Sequence, residues 1–272
     1  MYLFSFSQQN QKVPRGKLFI IGGGTRSVSL MKELIKTARL NPKDHIVILP
    51  MSGENPDTPF YYIQKDLQRV CDNTIANLNF TKVNIPDKLL LDSLQQAALI
   101  FITGGDQNRF MDLVLNTPVH TAIHAAYNSG ATIAGTSAGA AVMSKQMITG
   151  KEYSGDTLGD GFFRKIRYGL VQLTEGLGLL TSAIIDQHFV ARSRYNRLLS
   201  VLAEYPSYDC IGIDEGTAII VSGKKVTVVG DGQVIKMRLP LKTKMTHPKN
   251  GMIRMHNIQL DLLTAGDRFL LK

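Results

Sequence analysis

The sequence predicts an α/β protein in which a mostly parallel sheet is covered by helices on both faces, a three-layer α/β/α sandwich. Two observations predict this fold. Short, continuously apolar segments alternate along the chain with segments of helical spacing, which is typical of parallel strands buried on both faces. Several apolar segments also end in glycine-rich turns, at 22–24, 104–105 and 135–139. Such sheets bind ligands beyond the carboxyl ends of their strands.

The first half of the chain supplies most of the expected elements. Apolar residues at 28, 30–31, 34–35 and 38 have the spacing of one helix face. We predict strands at 17–21, 44–50, 80–85, 99–103 and 131–135, and helices at 28–38, 61–78, 89–97, 119–128 and 138–145.

The second half of the chain is less regular. Residues 151–169 have the composition of a glycine- and charge-rich loop, 183–186 of a short strand and 194–204 of a helix. Four further strands are expected at 210–213, 217–222, 225–230 and 234–239, and because strand follows strand we expect an antiparallel extension of the sheet. With no low-complexity linker or repeat, we predict one catalytic domain over 17–272 after a polar lead-in, 1–16.

The composition narrows the class of protein. The formal net charge is +9, but the basic residues are scattered, which favours a soluble basic surface over a nucleic-acid site. The apolar runs are too short to span a bilayer. Cys71 and Cys210 lie far apart and are expected to be reduced thiols. The first residues lack the pattern of an export signal, so we expect a cytoplasmic location.

The motif Gly135-Thr136-Ser137-Ala138-Gly139 is the strongest chemical signal. It is a G-x-S-x-G sequence between an apolar strand and an alanine-rich helical segment, the context of a nucleophile elbow. In that turn the Ser137 hydroxyl lies above the sheet, and the Ala138 N–H can donate to an oxyanion. The alternative is a tight turn in which Ser137 is only a helix cap.

A serine nucleophile needs a base and an acceptor that orients it. His188 closes a short apolar strand, and Asp214 and Glu215 close another. His120 and His124 have the i, i+4 spacing of a zinc site but lack its glutamate, so we expect surface histidines and no metal. The order serine, histidine, acid differs from the order in α/β-hydrolases.

Four separated segments resemble the S51 serine peptidase family, which includes the cyanophycinases. They are Phe101-Ile102-Thr103-Gly104-Gly105-Asp106-Gln107, Gly135-Thr136-Ser137-Ala138-Gly139-Ala140, Asp186-Gln187-His188-Phe189 with the arginines that follow, and Gly212-Ile213-Asp214-Glu215. The resemblance covers about residues 17–272. It implies a class I glutamine amidotransferase-like fold with a flavodoxin-like layout.

The resemblance also implies roles for individual residues. Ser137 is expected to be the nucleophile, His188 the base and Glu215 its orienting acid. The N–H groups of Gly105 and Ala138 are expected to form the oxyanion hole. Six further residues are expected to line the substrate pocket: Gln107, Asp186, Gln187, Arg192, Arg194 and Arg197. The family implies a homodimer, and we expect no cofactor.

The activity implied is hydrolysis of β-aspartyl linkages. Cyanophycinases release β-Asp-Arg dipeptides from poly-aspartate that carries arginine on its side chains. We expect Ser137 to attack the side-chain-derived amide carbonyl and form an acyl-enzyme. Arg194 and Arg197, i and i+3 on a helix, are expected to bind a substrate carboxylate, and Asp186 a substrate guanidinium.

Two other functions stay open on the sequence. One is an isoaspartyl or Asp-X dipeptidase of the same family. The other is a nucleotide- or phosphate-binding module built on Gly22-Gly23-Gly24, although the dinucleotide and P-loop fingerprints are both incomplete.

Overall fold

The computed structural model describes residues 16–153, 163–240, 245–246 and 251–272. The lead-in, apart from Gly16, and the middle of the predicted 151–169 loop lie outside the described residues. Within them, eight strands form one sheet in the order β16-β11-β10-β1-β5-β4-β2-β3. These strands are β1 (Lys17–Ile21), β2 (His45–Leu49), β3 (Thr74–Asn77), β4 (Leu99–Ile102), β5 (Thr132–Thr136), β10 (Thr217–Ser222), β11 (Lys225–Gly230) and β16 (Arg268–Leu270).

The sheet is parallel from β1 to β3 and antiparallel beyond β1. Strand β1 pairs in parallel with β5 and antiparallel with β10, and β10 and β11 continue the antiparallel side. The predicted mostly parallel sheet is therefore confirmed. Of the four strands expected in its antiparallel extension, those at 217–222 and 225–230 lie there, whereas those expected at 210–213 and 234–239 belong to a second sheet. The carboxyl ends of β1, β2, β4 and β5 lie at the same edge of the sheet.

Helices cover both faces of this sheet, as predicted. They are α1 (Val28–Ala38), α2 (Asp57–Gln68), α3 (Lys88–Gln96), α4 (Gln107–Val114), α5 (Pro118–Ser129), α6 (Ala138–Ala141) and α7 (Tyr195–Glu204). Residues of β1 alternate between the two faces: Leu18 and Ile20 pack with residues of α3 and α5, and Phe19 and Ile21 with residues of α1 and α2. Two separate apolar layers result, one on each side of the sheet.

A second sheet is formed by strands from the second half of the chain. Within the described residues it has the strand order β15-β12-β9-β8, from β8 (Ala183–Gln187), β9 (Asp209–Ile213), β12 (Val234–Arg238) and β15 (Gln259–Leu263). Helix α7 packs on it through Leu198, Val201 and Leu202. Two hairpin-like pairs complete the described elements: β6 (Gln146–Glu152) with β7 (Val171–Glu175), and β13 (Met245–Thr246) with β14 (Arg254–Met255).

Three predicted elements were wrong. The helix expected over 61–78 ends at Gln68, and the chain returns to the sheet as β3, where Thr74 and Ile75 are β-branched and favour a strand. The strand expected over 80–85 is a series of turns, in which Phe80 is buried in the core and Ile85 packs against it. The helix expected over 138–145 ends at Ala141.

Helix α4 was not predicted. Its N-cap is Asp106, whose carboxylate accepts a hydrogen bond from the Asn108 N–H at 2.8 Å. Asp106 directly follows Gly104-Gly105, so a glycine turn and a helix cap occupy neighbouring positions in the sequence. The turn was recognised, but the cap was not.

Candidate active site

Ser137 stands at the sharp turn between β5 and α6, with φ 54° and ψ −111°. This left-handed backbone conformation is strained for a residue with a side chain, by about 1–3 kcal/mol. The turn closes because both neighbouring glycines lack a Cβ: a Cβ on Gly135 would lie 2.2 Å from the Gly139 carbonyl oxygen. The Ser137 N–H donates to the Ile21 carbonyl at 3.1 Å, which fixes the turn to β1.

His188 follows β8 and reaches the serine from the second sheet. Its Nε2 lies 2.9 Å from the Ser137 Oγ, and its Nδ1 lies 2.5 Å from Glu215 Oε1. Because a carboxylate only accepts, the hydrogen-bond partners assign the proton to Nδ1, and Nε2 is left to accept from the Ser137 hydroxyl. Three side chains separated by 51 and 27 positions in the sequence therefore meet in one hydrogen-bonded chain.

The loop after β1 places the histidine and the carboxylate. The His188 N–H donates to the Gly22 carbonyl at 2.7 Å, and the Gly216 N–H donates to the Gly23 carbonyl at 2.9 Å. A Cβ on Gly23 would lie 2.3 Å from His188 Cε1, so the ring lies against a backbone that only glycine provides. This role of the first glycine turn was not recognised from the sequence.

Burial lowers the pKa of His188 below its ordinary value. The hydrogen bond and charge of Glu215 act in the opposite direction, and the positive charges of Arg192 and Arg194 lower the pKa further. A base with a lowered pKa is neutral, and so able to accept a proton, at the pH of most cells.

The two residues expected to form the oxyanion hole adjoin Ser137 and its contact Gly104. A Cβ built on Gly104 would lie 3.9 Å from the Ser137 Oγ, and the next residue, Gly105, is exposed. Gly105 has φ +139°, and a Cβ there would lie 2.2 Å from the Ser52 carbonyl oxygen. That oxygen also accepts from the Asp106 N–H at 2.8 Å. Ala138 directly follows Ser137 and begins α6, so its N–H precedes the intrahelical bonds. The role of the Gly105 and Ala138 N–H groups as oxyanion donors stays a prediction.

The two carboxylates at the end of β9 have different tasks. Glu215 contacts His188, whereas Asp214 Oδ1 accepts hydrogen bonds from the N–H groups of Val190 and Ala191, at 3.1 and 2.9 Å. The Asp214 carboxylate therefore holds the turn that follows His188. The residue pattern by itself left open which of the two carboxylates contacts the imidazole, the family resemblance pointed to Glu215, and Glu215 is the one within hydrogen-bond distance of His188.

Four of the six residues expected to line the substrate pocket lie buried behind His188. Arg197 donates to both carboxylate oxygens of Asp186, with Nε at 2.7 Å, and the Asp186 side chain is 0% exposed. Arg194 donates to the Gln187 carbonyl at 2.7 Å and to its side-chain oxygen. In this structure these groups bind one another, and the expectation that Asp186 receives a substrate guanidinium, and that Arg194 and Arg197 receive a carboxylate, stays a prediction.

The other two predicted pocket residues differ from each other. The Gln107 side chain is buried and donates to the carbonyls of Ile148 and Thr149, at 3.1 and 2.9 Å, so it ties α4 to β6. Arg192 is partly exposed and close enough to His188 to lower its pKa. Of the three predicted arginines, Arg192 is therefore the one that is not buried.

His120 and His124 were expected to be surface histidines, and this expectation was wrong. His120 and His124 are partly buried, and each Nε2 lies within hydrogen-bond distance of the Leu177 carbonyl, at 3.1 and 2.7 Å. They hold the segment after β7 in place. Among the described residues, no group of three or more His, Cys, Asp or Glu side chains is arranged to hold a metal ion, and no helix is long and apolar enough to cross a membrane.

A serine hydroxyl bonded to an imidazole that is held by a carboxylate is an arrangement found in acyl-transfer hydrolases. Residues 18–229 match the model described as "Peptidase family S51", and the chain belongs to that family. The resemblance read from the sequence motifs is confirmed.

The comparisons with individual proteins agree with the family. A cyanophycinase of Trichormus variabilis is 39% identical over 185 residues, which cover 65% of this chain and 58% of that protein, so the chain matches less than two thirds of that relative's length. A cyanophycinase of Synechococcus elongatus is 29% identical over 270 residues, 95% of this chain and 80% of the relative. The crystal structure of a peptidase from an acI-B1 Actinobacterium has a TM-score of 0.69 at 22% identity, covering 95% and 98% of the two chains; it supports the fold.

Proposed function

We propose that this protein is a serine-type peptidase that releases β-Asp-Arg dipeptides from poly-aspartate carrying arginine on its side chains. The observation that carries the proposal is the hydrogen-bonded chain from Ser137 through His188 to Glu215. The relatives named cyanophycinase support this choice of substrate. The partly exposed Arg192 beside the triad supplies a group that can bind a substrate carboxylate.

The reaction proceeds through an acyl-enzyme. The Ser137 proton moves to His188 Nε2 as the Oγ attacks the scissile carbonyl, and the oxyanion that forms accepts hydrogen bonds from the Gly105 and Ala138 N–H groups. Glu215 stabilises the imidazolium. His188 then gives its proton to the leaving amine, and the amide bond breaks. A water molecule, deprotonated by His188, releases the acyl group and restores the serine.

The chemistry of the product identifies the bond that is cut. A β-Asp-Arg dipeptide keeps the isopeptide bond between the aspartyl side chain and arginine. Its release from the polymer therefore requires hydrolysis of the backbone amides between aspartyl residues. The expectation that Ser137 attacks the side-chain-derived carbonyl is inconsistent with this product, and we place the attack on the backbone carbonyl instead.

The glycine turn after β1 argues against the phosphate-binding alternative. Gly23 is covered by the His188 ring and Gly24 by the Glu215 side chain, while the Gly22 and Gly23 carbonyls accept hydrogen bonds from the protein. A phosphate cradle needs open N–H groups at that turn. The turn supports the triad instead.

Incubation with the arginylated polymer tests the proposal. Mass spectrometry should detect β-Asp-Arg as the product, and a fluorophosphonate probe should label Ser137 and no other serine. Ser137→Ala is the control and should give neither signal. Cleavage of β-Asp-Leu without cleavage of the polymer would assign the dipeptidase function instead, and labelling at another serine would overturn the mechanism.

A further inference from the structure

We propose that a charged cleft near the Gly104-Gly105 loop binds zwitterionic units of the substrate chain outside the two units that the scissile bond joins. The inference rests on the proposed function and adds a subsite to it. The cleft has a volume of about 630 Å³, within the range of pockets that enclose small ligands. Its charged lining residues are Glu54, Lys82, Asp106, Arg109, Asp112 and Lys151, and we call it the α4 cleft.

The α4 cleft approaches Ser137 through the loop that follows β4. Gly53 and Asp106 both line it, and they directly follow Ser52 and Gly105, which contact each other. Gly104, the residue before Gly105, packs on Ser137. In the proposal, a substrate chain whose scissile carbonyl lies at Gly105 reaches the edge of the cleft at the next residue, Asp106.

The walls of the cleft are fixed by hydrogen bonds. Gln107 at the start of α4 donates to the carbonyls of Ile148 and Thr149, and the Asn108 side chain donates to the same Thr149 carbonyl at 3.2 Å. These bonds fasten the end of β6 to α4 and bring Lys151 to the cleft. The buried Gln107 therefore positions the wall of the cleft, and the substrate contact expected of it from the sequence stays a prediction.

The mixed charge of the cleft indicates the chemistry of its ligand. Three carboxylates and three cationic groups line it, and all six residues are exposed. A polyanion such as a nucleic acid would be repelled by the carboxylates of Glu54, Asp106 and Asp112. A polycation would be repelled by the three basic side chains. Each arginylated aspartyl unit carries a guanidinium and a free α-carboxylate, so a chain of such units offers a partner to both signs of charge.

Two synthetic substrates distinguish the contribution of the cleft from that of the catalytic centre. One is an oligomer of two arginylated aspartyl units, and the other is an oligomer of four. The test variant is Glu54→Gln with Asp112→Asn, which removes two carboxylates outside the triad and the Gly104-Gly105 loop. The control is Glu33→Gln, a partly exposed carboxylate on α1 outside the cleft. We expect the wild-type protein to prefer the four-unit oligomer by about tenfold in kcat/KM.

The double variant should lose this preference and still cut the two-unit oligomer within about twofold of wild type, and Glu33→Gln should change neither. A retained preference, an equal loss on both oligomers, or no wild-type preference would overturn the inference. Binding of a fluorescent four-unit oligomer to Ser137→Ala, with and without the two cleft substitutions, gives a readout that needs no turnover. Cleft-dependent binding by a wild-type protein that cuts neither oligomer would refute the proposed function and support the cleft; absence of binding would refute the cleft.

Discussion

Gly24 lies so close to Glu215 that a methyl group at position 24 would stand 2.6 Å from the Glu215 Cβ and 2.9 Å from its Oε2. The carboxylate that holds His188 is therefore placed by the absence of a side chain on a neighbouring loop. Gly178 has the same backbone φ of +69°, but nothing lies within 4 Å of the position a Cβ would take there. Gly24 and Gly178 therefore have the same backbone φ and differ in whether a side chain would meet a neighbour.

Gly24→Ala should reduce kcat/KM by about 100-fold, because displacing Glu215 by about 1 Å misaligns the imidazole. Gly178→Ala should leave kcat/KM near wild type, since it adds backbone strain only. Steady-state kinetics and thermal melts of both variants check this. Equal activity of the two variants would show that the contact with Glu215 is unimportant.

Ser137→Ala and His188→Ala should each reduce kcat by roughly 10⁴- to 10⁶-fold, and the double variant should lose no more than either one, because the members of a triad act as a unit. Rates on the arginylated polymer measure the loss, and circular dichroism checks that the fold is kept. If the fold-reduction in kcat of the double variant equalled the product of the two single reductions, the two residues would act independently.

The pH dependence of kcat/KM should have an acidic limb below the ordinary pKa of histidine. His188 accepts a proton only when neutral, and its pKa is lowered, first by burial, so activity falls only when the pH drops through that lowered value. Glu215 raises this pKa and Arg192 lowers it. Glu215→Gln should therefore move the limb to lower pH, and Arg192→Gln should move it to higher pH. Rate profiles of the three proteins test the signs; shifts in the same direction would contradict this account.

The buried pair of Asp186 and Arg197 should matter for stability. Asp186→Asn leaves a buried guanidinium without its counter-ion and should lower the free energy of unfolding by about 3–5 kcal/mol. The double substitution Asp186→Leu with Arg197→Met removes both charges and should recover much of that loss. Urea unfolding measures both. If Asp186→Asn instead raised KM and left the unfolding free energy unchanged, the carboxylate would be facing substrate after all.

The central fold could be predicted because its signals are local. Continuous apolar strands and the helical spacing of 28–38 depend on short stretches of sequence, and α1 has the predicted limits. The break between α2 and β3 was missed, because an amphipathic pattern continues through residues that the sheet recruits. The strand-to-helix turn at Ser137 was predicted because G-x-S-x-G and its flanks carry their own geometry.

The site was predictable only in part, because side-chain direction is a tertiary property. The motifs placed Ser137, His188 and Glu215 at strand ends, and the structure brings those three together. The same motifs contained Asp186 and Arg197, and nothing in their spacing indicates that they bind each other in the interior. The contact between Gly23 and His188 joins two loops far apart in sequence, and no local pattern reports it.

The three hydrogen-bonded side chains come from different sheets: Ser137 follows a strand of the large sheet, and His188 and Glu215 follow strands of the small one. Ser137 precedes His188 by 51 residues and Glu215 by 78, so it leaves the ribosome before either of them. A nascent chain that has reached only Ser137 holds an ordinary alcohol. The hydrogen-bonded arrangement can form only after residue 215 has been synthesised and both sheets have met.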